Sequence, residues 1–345
     1  MIKSLNSLSL RVLDGHLEII DQTQLPHKEV WHRIEDYSRM IESIKRLEVR
    51  GAPLIGVAAA LTLAVHAKKG SSQGQLLEIS NLLRESRPTA VNLMNCLDVM
   101  NKSIGQDPFA VETVINQAVS LFEEDVSLCE RMAENGEHLI KDGDNILTHC
   151  NTGGLATVGI GTALGVIRRA HEDGKRIHVY VDETRPLLQG GRLTTYELSK
   201  LGIPYTLICD NMAGALMAKG KIDRVFLGSD RVALNGDFAN KIGTYSVAVL
   251  AKYHGVEFYP VAPYTTLDRS AKTGADIPIE QRNASEVRGV SLAIGEVTWS
   301  PKDSEVFNPA FDVTPVDLVT GLVMDNQYYS QSELKGGALI EAFKR

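Results

Sequence analysis

The rhythm of apolar positions changes once along this chain, near residue 143. Before that point apolar residues mostly recur at helical spacing; beyond it, short continuous apolar runs alternate with helical stretches. Residues 8–25 are an exception, alternating polar and apolar around Asp14-Gly15, which predicts a short hairpin. Helical spacing then runs through Glu29–Lys45, Gln75–Arg84, Thr89–Lys102 and about Pro108–Ile140. Ala52–Lys69 is rich in Ala, Leu and Val, which predicts a buried helix. The later apolar runs are Asn145–His149, Ile177–Val181, Tyr205–Cys209, Arg224–Gly228 and Glu257–Ala262. Helices are expected near 154–170, 191–201, 212–219 and 239–253. A repeated strand–helix unit implies a parallel sheet with helices on both faces. The last 60 residues add a strand at Gly289–Ile294 and a helix near Pro315–Met324, with proline in its first turn. The fold class is α/β. A mostly helical N-terminal domain with a short antiparallel β element is expected over residues 1–126, and a parallel-sheet domain over 127–345.

Composition narrows the function classes. The chain has 345 residues, 43% apolar and 23% charged, as in ordinary soluble globular proteins. Its net charge is −7 and no Lys/Arg cluster stands out, which argues against a nucleic-acid partner. Cys96, Cys129, Cys150 and Cys209 share no CxxC spacing, so no zinc site is expected. The N-terminus lacks a signal-peptide pattern, and polar residues interrupt the longest apolar run, Ala52–Ala67. A cytoplasmic protein with reduced thiols and no membrane association is expected.

In open parallel sheets, ligands bind beyond the carboxyl ends of the strands. The residues that follow the five runs are Cys150-Asn151-Thr152-Gly153, Asp182-Glu183-Thr184-Arg185-Pro186, Asp210-Asn211, Ser229-Asp230-Arg231 and Pro263-Tyr264-Thr265. Cys150 and Asp230 suit a thiol/carboxylate pair facing one pocket. Asp182 and Asp210 fit cap or turn roles equally well. With a helix starting at Gly154, Cys150 would meet free N–H groups and the positive end of the dipole, which favour thiolate and a nearby phosphate. Gln189-Gly190-Gly191 is a loop where backbone can approach a ligand. Lys241, at an expected helix start, opposes the dipole unless an anion binds there. Arg50-Gly51-Ala52-Pro53 precedes one helix and Arg87-Pro88-Thr89-Ala90 the next, so two arginines stand ready to grip a phosphate. Gly159, Gly161 and Gly165 fall within an expected helix, not in a turn directly after a strand, which argues against a dinucleotide fingerprint.

Taken in order, Arg50-Gly-Ala-Pro53, Arg87-Pro-Thr-Ala-Val-Asn-Leu93, Thr148-His-Cys-Asn-Thr-Gly-Gly-Leu155, Asp182-Glu-Thr-Arg-Pro186, Gln189-Gly-Gly-Arg192, Gly228-Ser-Asp-Arg231 and Asn240-Lys-Ile-Gly-Thr244 resemble the 5-methylthioribose-1-phosphate isomerases of methionine salvage. The wider superfamily includes ribose-1,5-bisphosphate isomerases and regulatory subunits of translation initiation factor 2B. The likeness runs from about residue 45 to about residue 325. It implies a Rossmann-like C-terminal domain, a homodimer, a phosphorylated pentose substrate, and neither metal nor cofactor. Cys150 and Asp230 match the catalytic positions; Arg50, Gly51, Ala52, Arg87, Gln189, Asn240 and Lys241 match the substrate-binding ones.

The implied reaction converts 5-methylthio-α-D-ribose 1-phosphate into 5-methylthio-D-ribulose 1-phosphate. Asp230 would protonate the ring oxygen, a task for an acid kept neutral by burial. Hydrogen then moves from C2 to C1, either with Cys150 as base through an enediol or as hydride with Cys150 in support. Two alternatives remain: an isomerase of ribose 1,5-bisphosphate or 5-deoxyribose 1-phosphate, and a non-catalytic regulatory subunit like those of initiation factor 2B. The paired thiol and carboxyl group favour an enzyme.

Overall fold

A computed structural model describes residues 2–87, 90–292 and 295–343. Pro88 and Thr89 of the second arginine motif lie outside these residues, as does Ile294. The chain forms two compact units. The first comprises Met1–Leu128 and Gly154–Gly161; the second comprises Cys129–Gly153 and Thr162–Arg345.

The first unit opens with an antiparallel sheet of β1 (Leu5–Asn6), β2 (Leu10–Leu13), β3 (His16–Ile20) and β4 (Trp31–Arg33), in that spatial order. Asp14 and Gly15, with φ of 50° and 78°, make the two-residue turn between β2 and β3. Left-handed residues at both central positions match the twist of the strands they join. Helices α1 (Tyr37–Lys45), α2 (Ala52–Lys68), α3 (Gln73–Ser86) and α4 (Val91–Ile104) follow. Every residue of α2 from Leu54 to Val65 is buried, so this helix lacks a polar face. Leu10, Val12, Leu17 and Ile19 of the hairpin share its core. The next helix, α5 (Val111–Gly136), contains the unit boundary.

The second unit is a seven-stranded sheet flanked by helices. In chain order it contains β5 (Asn145–Thr148), α6 (Ala163–Glu172), β6 (His178–Asp182), α7 (Thr195–Leu201), β7 (Tyr205–Ile208), α8 (Ala213–Ala218) and β8 (Arg224–Gly228). There follow β9 (Arg231–Val232), β10 (Phe238–Lys241), α9 (Thr244–His254), β11 (Glu257–Val261), the hairpin β12 (Gly289–Leu292) and β13 (Gly295–Thr298), then β14 (Phe311–Thr314), β15 (Gly321–Val323) and β16 (Tyr328–Ser330). The main sheet runs β16-β15-β11-β8-β5-β6-β7, all parallel except β16. The chain starts at β5, steps outward through β6 and β7, then returns to place β8 on the other side of β5. This is the Rossmann-like order, and its direction reverses between β5 and β8. Strands β14, β10 and β9 form a separate small antiparallel sheet.

Four expectations fail. Helical spacing over Glu29–Lys45 gives a helix only from Tyr37, because Trp31–Arg33 pairs with β3 as strand β4. The helix placed at Gly154 begins instead at Ala163, and Cys150 is not at a helix N-terminus. Backbone groups between them have non-helical partners: Leu155 O accepts from Gln22 Nε2, Ala156 O from Leu54 N, and Val158 N donates to Asp125. Gly159 and Gly161 add little helical preference to resist this. They also lie in this irregular stretch, well beyond the end of β5, and so make no phosphate turn there. Lys241 ends strand β10 and does not start a helix, because Phe238–Lys241 pairs along its length with Phe311–Thr314. Finally, Pro315–Met324 gives a single turn at Val316–Leu318 and then strand β15, where cross-strand pairing of Gly321–Val323 takes the backbone bonds.

Candidate active site

The strand order reverses between β5 and β8, and in open sheets of this kind ligands bind beyond the carboxyl ends of the strands at such a point. Cys150 lies two positions past β5 and Asp230 two past β8, and these strands are adjacent and parallel. The two chain turns also approach each other: a Cβ added at Gly228 would lie 2.6 Å from Thr152 Cγ2. Glycine is therefore required where β8 passes the Cys150 turn.

Cys150 is buried and held in the left-handed region at φ 65°. Such a backbone persists in a non-glycine residue only where its surroundings fix it. Here two threonines do so. Cys150 N donates to Thr184 Oγ1 at 2.8 Å, and Thr194 Oγ1 donates to Cys150 O at 2.6 Å. Thr184 is itself left-handed, at φ 64°, and its hydroxyl donates to Asp182 O. Asp210 accepts from Thr184 N and Arg185 N, both at 2.7 Å, which is the turn-capping role open to it from sequence. Asn151 Nδ2 donates to the buried Glu197 at 2.7 Å. Cys150 thus sits on a rigid polar frame supplied by β6, the turn after β7 and the start of α7.

His149 directly follows β5 and Asp182 ends β6, both with almost no solvent exposure. His149 Nδ1 is 3.0 Å from Asp182 Oδ2, and His149 Nε2 is 2.9 Å from Ile242 O. Burial is the strongest single influence and opposes charge on the imidazole, but the hydrogen bond to Asp182, the negative charges of Asp182 and Asp210, and the bond to Ile242 O together outweigh it and hold the His149 pKa above its usual value. Burial also raises Asp182. His149, Asp182 and Asp210 form a compact group of donor atoms within 4.8 Å of one another. The bonds to Ile242, Thr184 and Arg185, and the one between His149 and Asp182, already engage these side chains. No Cys or His pattern in the sequence singled out this group. The available signal was an ionisable residue closing the buried run Asn145–His149.

The other anticipated positions fall into both units. Arg50, Gly51 and Ala52 lie at the start of α2 in the first unit, with Gly51 at the N-cap and Pro53 in the first turn. Arg87 closes α3 in the same unit and precedes α4 by a short segment. In the second unit, Gln189 leads into a wide helical turn, Gly190–Thr194, and its Oε1 is buried without a partner among the described residues. Asn240 Nδ2 donates to Thr244 Oγ1 at 2.9 Å. Lys241 Nζ donates to Ala310 O at 3.0 Å and lies 4.7 Å from the centre of the Phe311 ring. Asp230 is half-buried, and its N–H donates to Ala239 O, which anchors the β8 turn to β10.

Known proteins resemble this chain over nearly its whole length. The model of the initiation factor 2 subunit family matches residues 48–326. A methylthioribose-1-phosphate isomerase of Yersinia enterocolitica is 54% identical over 333 residues, covering 96% of each chain. The protein of the same name from Cronobacter sakazakii is 53% identical, covering 97% of this chain and 99% of its own. Among solved structures, 5-methylthioribose 1-phosphate isomerase from Pyrococcus horikoshii OT3 aligns with a TM-score of 0.87 at 37% identity, covering 97% of this chain and 96% of that one. A protein described as translation initiation factor eIF-2B, subunit delta, from A. fulgidus aligns at 0.83 and 39% identity, covering 97% and 100%. With full-length identity above one half to curated isomerases and a family match across most of its length, the chain belongs to the methylthioribose-1-phosphate isomerases of the initiation factor 2 subunit family.

Proposed function

We propose that this protein is an aldose–ketose isomerase that converts 5-methylthioribose 1-phosphate into 5-methylthioribulose 1-phosphate in methionine salvage. The observation that carries the reading is the placement of a thiol and a carboxyl group, Cys150 and Asp230, two residues beyond the adjacent strands that flank the reversal of the sheet. The 54% identity to isomerases supports the choice of substrate. The anomeric phosphate blocks spontaneous ring opening, so an acid is needed at the ring oxygen. In this reading Asp230 gives its proton to that oxygen as the bond from C1 breaks. The C2 hydrogen then moves to C1, and the C2 hydroxyl proton returns to Asp230 as the ketone forms, so the acid is regenerated. Cys150 takes the C2 proton and returns it to C1, or else supports a direct hydride shift. Arg50, Gly51, Ala52, Arg87, Gln189, Asn240 and Lys241 bind the phosphorylated sugar. A cytoplasmic homodimer completes the proposal; among the described residues no helix is long and apolar enough to cross a membrane.

The test is turnover of three aldose 1-phosphates that differ only at C5, carrying methylthio, hydrogen or phosphate. The methylthio sugar is expected to give the highest kcat/KM. Preference for the bisphosphate, or no turnover of any of the three, contradicts the proposal. Run in deuterium oxide, the same assay separates the two routes: deuterium at C1 of the ketose requires a proton intermediate.

A further inference from the structure

We propose that His149 and Asp182 form a buried one-proton pair that positions the Ile242–Thr244 turn against the Cys150 turn. This rests on the reading of Cys150 as catalytic and of Asn240 and Lys241 as substrate-binding. Ile242 O is a carbonyl and only accepts, so His149 Nε2 carries a hydrogen. At the other ring nitrogen, Nδ1 and Asp182 Oδ2 stand 3.0 Å apart and share one proton. Asp182 Oδ1 is buried with no partner, so among the described residues the Asp182 side chain is hydrogen-bonded by His149 through Oδ2 and by no other group. Both nitrogens of His149 are committed and the ring is out of water. It therefore acts through what it holds, as a positioning residue.

What it holds is the turn after β10. Gly243 has φ 104°, and a Cβ added there would lie 2.9 Å from His149 Cε1 and 3.1 Å from Nε2. The imidazole thus packs on the open face of this glycine while bonding the preceding carbonyl. The same turn is also held by Asp312, which accepts from Gly243 N at 2.8 Å and Tyr245 N at 3.1 Å. The turn is thus clamped by bonds to both a histidine next to Cys150 and an aspartate on β14. Asn240 and Lys241 immediately precede it, so the clamp sets their distance from Cys150.

The test pairs His149→Ala with Asp182→Asn in the full-length protein. An asparagine at 182 can donate to Nδ1 and leaves the Nε2 hydrogen in place, so it preserves the clamp without the charge. His149→Ala is expected to raise amide hydrogen exchange at residues 242–246 at least tenfold. It should also raise KM for the aldose 1-phosphate at least tenfold, with a smaller change in kcat. Asp182→Asn is expected to stay within about threefold of the parent in both. Should His149→Ala not fold, His149→Gln, which keeps one donor and loses the Asp182 bond, is expected to raise KM by at least threefold. Unchanged exchange and KM in the histidine variants overturn the proposal. So does an Asp182→Asn protein as impaired as His149→Ala. Exchange is measured without turnover, so a parent protein that converts no sugar phosphate refutes the proposed function while exchange still decides the clamp.

Discussion

At the scale of single residues, burial decides which ionisable groups are unusual. Asp125 on α5 is buried and accepts from Val158 N at 2.7 Å, and burial pushes its carboxyl up to about 6. Its folded pKa lies above the unfolded carboxylate value, so the native state holds the extra proton between them. Stability therefore falls as pH rises from about 4 to about 6. The loss from this one group is on the order of 3 kcal/mol. Asp125→Asn lacks that titration. The difference in Tm between variant and parent is expected to move in the variant's favour as pH rises from 4.5 to 7, read by thermal denaturation at each pH. A difference that stays flat over this range contradicts the assignment. Cys150 differs from its sequence expectation in its surroundings: no helix starts at Gly154, and the nearest downstream helix starts at Ala163. The backbone of Cys150 is instead fixed by the hydroxyls of Thr184 and Thr194.

At the scale of elements, the strands were readable and some connections were not. Runs of apolar residues at 145–149, 177–181, 205–209, 224–228 and 257–262 each became a strand of the main sheet; the inner strands are covered on both faces, which needs continuous apolar sequence, whereas the edge strand β7 leaves Thr206 and Leu207 exposed. The hairpin turn at Asp14-Gly15 and the proline-marked start of α2 were equally legible, since each depends on local backbone preference. The stretch 154–162 and strand β10 were not. Their conformations depend on distant partners such as Gln22, Leu54, Asp125 and Phe311–Thr314. Gly51 shows how tight such a junction is. At φ 101° it caps α2, and a Cβ there would lie 2.5 Å from Ala156 Cα. Gly51→Ala is expected to cost about 3 kcal/mol, from backbone strain and overpacking together. Gly70→Ala, at φ 94° in open space, is expected to cost about 1 kcal/mol from strain alone. Urea denaturation of the two variants measures this; equal losses would show that the contact with Ala156 contributes nothing.

At the scale of the molecule, order along the chain becomes chemistry through one topological event. Five strand-end segments could be written down from sequence, but not which two would flank the reversal. The sheet order answers that, placing Cys150 just beyond β5 and Asp230 just beyond its neighbour β8 across the reversal. His149 escaped notice because its function is to join two segments 93 positions apart, a pairing that no local pattern records. The most direct test of the account is Asp230→Asn, measured for binding of 5-methylthioribose 1-phosphate by calorimetry and for ketose formation in a single turnover. The variant keeps the size of the side chain and loses its proton. Binding is expected within about threefold of the parent, with the rate of ketose formation reduced by about 10²–10⁴. A variant that forms the ketose at close to the parent rate contradicts the role given to Asp230 and, with it, the chemistry assigned to this edge of the sheet.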